Sequence, residues 1–145
     1  MIMNAGSRVI GNTSGGVHVL SGGMFIMNDG EISGNIAASG AGVFVDIGGA
    51  FDMLGGRILN NRSTHTSAGF GGGVRVFSGG SFRVSNGTIY GNNAEAGLRN
   101  SAATNIASFR GTGQRGRFNA AGDFTALGGL GDSNNTIRIV NGILQ

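Results

Sequence analysis

Three arginines fall within eight residues, Arg110, Arg115 and Arg117. Guanidinium forks pair with oxyanions, so this trio suits phosphates, acidic glycans or other anionic surfaces. The simpler alternative is a loop whose charges are solvated. The same segment spells Gly111-Thr-Gly-Gln-Arg-Gly116, the letters of a dinucleotide-binding turn. That turn works only between a strand and a helix. The following Arg117-Phe-Asn-Ala-Ala-Gly has no helical period, so no nucleotide or other cofactor is expected.

Carboxylates are the other chemistry to weigh. Glycoside hydrolysis needs two carboxyls roughly 5–10 Å apart, and metal-assisted cleavage needs several acids converging on one cation. Asp29 and Glu31 flank Gly30 at a corner, and Asp52 has no acidic neighbour in the repeat pattern described below. They read as solvated surface charges. Gly128-Gly-Leu-Gly-Asp132 approaches a calcium-binding nonapeptide, but its Asp comes one residue early and no second copy follows. His18 and His65 lack a second ligand at metal spacing and read as surface residues. No catalytic residue, metal site or cofactor is expected, and the chain reads as no enzyme.

Such side chains need elements to position them, and the composition says which kind. The 145 residues include 31 Gly but no Pro, Cys or Trp. Gly does not recur every third residue, which excludes collagen, and the 39% apolar content argues against simple disorder. The glycines punctuate short strands. Without Cys there is neither a disulfide nor a thiolate metal site. No apolar run approaches the ~20 residues of a membrane-spanning helix, and Met1–Gly6 lacks the pattern of a signal peptide. The net charge of +3 is carried by Arg alone. Residues 1–95 sum to zero, so all of the excess lies in 96–145. Nucleic acid is not an expected partner, because a denser basic patch would be needed.

Aligned on its glycine corners, the chain repeats. Val17-His-Val19, Val43-Phe-Val45 and Val74-Arg-Val76 are steps of 26 and 31 residues apart. Met24–Met27, Ala50–Met53 and Ser81–Val84 follow at the same steps, and then Ile32, Ile58 and Ile89. Strand alternation points one set of columns inward. These are Val17/Val43/Val74, Val19/Val45/Val76, Phe25/Phe51/Phe82/Ile137, Met27/Met53/Val84/Ile139 and Ile32/Ile58/Ile89/Leu144, and every one is apolar. The intervening columns, His18/Phe44/Arg75, Ile26/Asp52/Arg83/Arg138 and Glu31/Arg57/Thr88, are mixed and read as solvent-facing. Asn12, Asn35, Asn61 and Asn92 close the repeats, where Asn can take left-handed geometry and ladder its amides.

A unit this small cannot bury its apolar face alone and must stack on copies of itself. The expected fold is all-β: a single parallel β-helix solenoid spanning residues 1–145, right-handed, with three short strands per coil and roughly five coils. Regular coils cover about 1–93, an irregular coil 94–133, and a final partial coil 134–145, where Ile137–Leu144 matches Phe82–Ile89 position by position. An antiparallel sandwich is the alternative, since Gly-Gly and Asn-Gly also mark hairpins. Met1 begins and Leu144 ends mid-coil, so the chain reads as a C-terminal fragment of a longer protein. Its open strand edges invite neighbouring coils or self-association.

The tetrapeptides Ser14-Gly-Gly-Val17, Gly40-Ala-Gly-Val43 and Gly71-Gly-Gly-Val74, each after a Gly-Asn-containing corner, resemble repeats of bacterial polymorphic outer-membrane proteins and autotransporter-type passengers. The resemblance covers about 1–93 and 134–145. It implies a right-handed β-helix, an extracellular or cell-surface location, and a structural or adhesive role toward host or matrix glycans and proteins. Carbohydrate binding or carbohydrate-active chemistry, or anion binding through Arg110–Arg117, is the competing reading.

Overall fold

The computed structural model describes residues 1–66, 71–102 and 107–145. These residues form an all-β structure with no helix. Four sheets are present, and the chain visits them in the same order on successive passes. A phenylalanine sheet stacks Ile2–Met3, Met24–Met27, Ala50–Met53, Ser81–Val84 and Gly113–Phe118 in parallel. An isoleucine sheet does the same with Arg8–Ile10, Glu31–Ser33, Arg57–Leu59 and Gly87–Ile89. A valine sheet contains Val17–Val19, Val43–Val45, Val74–Val76 and Phe109–Arg110. The fourth sheet was not expected. Its strands have two residues each, Ile36–Ala37, Arg62–Ser63 and Ser101–Ala102.

The predicted columns are paired in register. Phe25 lies beside Phe51 and Phe51 beside Phe82. Ile32, Ile58 and Ile89 align likewise, as do Val43 and Val74. Side chains alternate across a strand, so one face of each sheet is apolar and buried. The phenylalanine rings stack with centroids 4.9 and 5.0 Å apart. Burying each ring contributes roughly 1.5–3 kcal/mol, and ring–ring contact adds about 0.5–1.5 kcal/mol. Of the expected core, only Val17, half-buried at the first edge, and Leu144 fall outside the buried set.

Phe109 joins this core from the valine sheet. Its ring continues the stack 5.3 Å from that of Phe82. The phenylalanine-sheet residue beside it is Gly113, where a Cβ would stand only 2.8 Å from the Phe82 ring. The large and small residues have exchanged sheets, leaving the column filled.

The asparagine column is real but shifted at its last member. Asn12 donates to Asn35 Oδ1, Asn35 to Asn61 Oδ1, and Asn61 to Asn100 Oδ1, each through both backbone N–H and Nδ2 at 2.8–3.0 Å. The second Nδ2 proton reaches a carbonyl, such as Val9 O or Ile32 O at 3.0 Å. Asn35, Asn61 and Asn100 are fully buried. Asn92 is not a rung: it is exposed, and its amide meets Asn134 instead. An insertion of turns before Asn100 displaces the expected position, and Gly91 is packed against the backbone of Asn134 and Asn135. The ladder residues do not take left-handed geometry either. The residues just before the first three do: Gly11, Gly34 and Asn60, with φ of 69°, 66° and 52°.

The ladder also explains the Gly-Gly-Val motif. A Cβ on Gly42 would lie 2.4 Å from Gly73 O and 3.0 Å from Asn61 Nδ2, with similar crowding at Gly16 and Gly73. Only glycine leaves room for the amides. Once they are seated, the residues after each Asn are held in register, which produces the fourth sheet.

The C-terminal segment departs from expectation. Ile137–Val140 does not continue the phenylalanine sheet. It runs antiparallel beside Gly87–Ile89, with Ile137 opposite Ile89. Ile143–Leu144 folds back on it, leaving Leu144 50% exposed. The physical reason is occupancy. The edge of Ser81–Val84 is already taken by Gly113–Phe118, itself one arm of an antiparallel hairpin with Phe124–Leu130. Ile137 and Ile139 are still buried, but from a different wall. The phenylalanine and isoleucine sheets are therefore mixed, closing at one side with antiparallel strands. Residues 103–106 of the irregular segment lie outside the described residues.

Candidate functional site

The three clustered arginines have different partners. Arg110 ion-pairs with Asp132, whose other oxygen accepts the Gly111 N–H at 2.8 Å. Arg115 and Arg117 donate to the carbonyls of Gly142 and Asn141, at 3.1 and 3.0 Å, and so hold the C-terminal turn. Gly111–Gly116 enters a hairpin strand rather than a helix. Gly128 covers the Arg115 guanidinium.

The acids are engaged as well. Glu31 accepts from Arg8 at 2.9 Å, Arg57 at 3.1 Å and Ser33 at 2.8 Å. The Arg8 hydrogen bond leads in holding its carboxyl below the ordinary range, followed by that of Ser33, while burial opposes them. Asp52 was expected to face solvent, but it is buried. Arg83 grips both its oxygens, at 2.7 and 2.5 Å. The guanidinium lies 5.2 and 5.5 Å from the Phe118 and Phe124 rings, which fold over it from the hairpin. The bond to Asp52 raises the Arg83 pKa, with burial opposing. Asp52 is thus buried against Arg83, whose guanidinium the hairpin rings cover in part and leave 31% exposed. Among the described residues, no group of three His, Asp or Glu is placed to hold a metal ion.

One outward column combines aromatic and cationic groups. Pairing in the valine sheet sets His18 beside Phe44, Phe44 beside Arg75, and Arg75 beside Arg110. His18 meets the Phe44 ring edge-on at 4.9 Å. The Arg75 guanidinium lies 5.7 Å from the Phe44 ring and 5.4 Å from that of Phe77, and donates to Ser39 Oγ at 2.7 Å. Burial and, after it, the charge of Arg110 lower the Arg75 pKa. Asp46 stands 3.8 Å from His18 Nε2. Two open grooves flank the column: about 370 Å³ beside His18, Phe44 and Ser39, and about 350 Å³ between Phe77, Arg75, Arg110 and Thr112.

Sequence reasoning placed His18, Phe44 and Arg75 in a solvent-facing column but did not join them to Arg110 or Phe77. Their signal was an aromatic residue where a polar one would serve, beside a cation at the same repeat position. His65 is exposed and lies outside this column. No protein-family model matches the chain, and no curated protein or solved structure gives a significant match.

Proposed function

We propose that the parallel part of the chain is a right-handed β-helix serving as a non-enzymatic structural and adhesive segment of a bacterial cell-surface or secreted protein. The observation supporting it most strongly is the concerted register: valine, phenylalanine and isoleucine ladders all advance together from one pass to the next. Each pass then acts as one coil whose apolar residues are covered by the next. Such a body is long and rigid for its length of chain, and its exposed outward positions, unlike the buried Asp52, can vary in chemistry without disturbing the core. Its partners are neighbouring coils or a second copy at the strand edges, and host or matrix glycans and proteins on the outward columns.

Protease shaving of intact cells of the source organism tests the reading. Release of peptides from this chain before lysis is the expected result. Their appearance only after lysis would remove the surface assignment. The outward column of His18, Phe44, Arg75 and Arg110 favours carbohydrate as the adhesive target.

A further inference from the structure

We infer that the first pass of the chain docks one further parallel β-coil, recognised by an asparagine and a glycine at set positions. The inference rests on the stacked-coil reading and deepens it by naming which edge accepts a partner and what that partner carries.

The amide ladder has a direction. Each rung's Oδ1 accepts two bonds from the asparagine one pass earlier: Asn35 from Asn12, Asn61 from Asn35, and Asn100 from Asn61. Among the described residues, nothing donates to Asn12 Oδ1, and Asn12 is exposed. Its N–H and Nδ2 are engaged by Asn35 Oδ1 and Ile10 O, so it offers an incoming coil an acceptor.

The far end is closed. Asn100 donates from Nδ2 to Ile58 O and Tyr90 O, both at 2.8 Å, and keeps no proton there for a later rung. Antiparallel strands cover Gly87–Ile89 and Gly113–Phe118. A second copy therefore has no matching surface to offer. Its last pass is capped, and its first would set acceptor against acceptor.

The apolar face at the first edge also stops one layer short. Val17 is half-buried where Val43 and Val74 are fully buried, and Val9 is half-buried where Ile32 and Ile58 are fully buried. Met1, Ile2, Ile10 and Leu20 are each more than half exposed. Ile2–Met3, Arg8–Ile10 and Val17–Val19 are end strands of their sheets, each with one edge unpaired among the described residues. Such edges template further strands. Main-chain bonds then supply affinity, and side chains supply specificity.

Two positions carry that specificity. The partner's asparagine brings the missing donors to Asn12 Oδ1. Its glycine follows from the packing between successive passes, where a Cβ on Gly16 would lie 2.6 Å from Gly42 O. An incoming coil sets its own residue against Gly16 in the same way, and only glycine fits.

The experiment places a copy of residues 1–24 directly ahead of Met1 in the full chain, reproducing the step from Ile2 to Ile26. Hydrogen exchange at Met1–Val19 of the original chain should slow about tenfold or more. The melting temperature should rise by about 3 °C or more. Asn12→Leu or Gly16→Ala, made in the added copy alone, should remove both gains while the original fold is untouched. Thr13→Ala in the copy, at an exposed position, should keep them. No gain from the added copy, or an equal gain with Asn12→Leu or Gly16→Ala, would overturn the inference. So would a dimer of the unmodified chain, seen by sedimentation, with Met1–Val19 protected, since that gives the edge to a second copy. Protease shaving reports on the surface assignment alone, so either reading can fail while the other stands.

Discussion

Asn86-Gly87 and Asn141-Gly142 are the same dipeptide in matching sequence surroundings, yet they do opposite things. The first lies within a pass that stays parallel, leading into Gly87–Ile89. The second reverses the chain with φ of 50° and 77°, both left-handed, as a two-residue hairpin requires. The first meets an open edge of Arg57–Leu59; the second arrives after the hairpin has filled the equivalent edge on Ser81–Val84. The two are even joined, since Asn141 N–H donates to Asn86 Oδ1 at 2.8 Å. Local turn chemistry permits both outcomes, and the free backbone edge selects between them.

If side-chain ladders hold the parallel region while a local turn holds the C-terminal one, the largest effect belongs to Asn61. Asn61→Leu strands the amide of Asn35 and the carbonyls of Ile32 and Leu59. Each stranded buried group costs about 1–3 kcal/mol. Urea unfolding should show more than about 4 kcal/mol of loss, or no folded state. A loss under about 1 kcal/mol would mean that the ladder follows the fold rather than setting it.

Phe51→Ala comes next. The ring is fully buried between Phe25 and Phe82, so the same experiment should give about 3–5 kcal/mol. At the turn, Gly142→Ala meets positive φ and Gly116 O at 2.5 Å. Its expected cost is about 2 kcal/mol, as for Pro/Gly backbone effects. Unfolding that stays cooperative would show that turn and stack melt together.

Glu31→Gln should have the smallest effect. Because its folded pKa is lowered, the carboxylate stabilises the chain above its ordinary value of 4.5 and loses this as pH falls through the folded value. Gln should therefore be slightly less stable at pH 7 and flatter in acid, with the gap shrinking in high salt. An unchanged acid limb would show that Arg8 and Arg57 contribute nothing there.

Much of the fold was legible because its core obeys one period. Val43, Phe51 and Ile58 recur with their neighbours, and in-register pairing follows from burying them together. Phe109 was not legible, since the earlier repeats carry valine, not phenylalanine, at that inward position of the valine sheet; the missing side chain at Gly113 explains it. Asn92 misled because it keeps the spacing of Asn35 and Asn61, while it is Asn100 whose Oδ1 accepts from Asn61. Asp52 looked exposed because the rings covering its partner, Phe118 and Phe124, come from a distant hairpin. The Phe44–Arg75 column was visible as residue types. Its grooves were not, because they depend on how loops flank the sheet.

Successive ladder amides are separated by 23, 26 and 39 residues, yet each meets the next at 2.8–2.9 Å. Registration is thus uncoupled from the length of chain between contacts, and doubling such a connection costs only about 0.6 kcal/mol of closure entropy. The molecule can carry cargo. The exposed turn at Gly97, where a side chain would meet nothing within 4 Å, is a natural graft point for a foreign peptide.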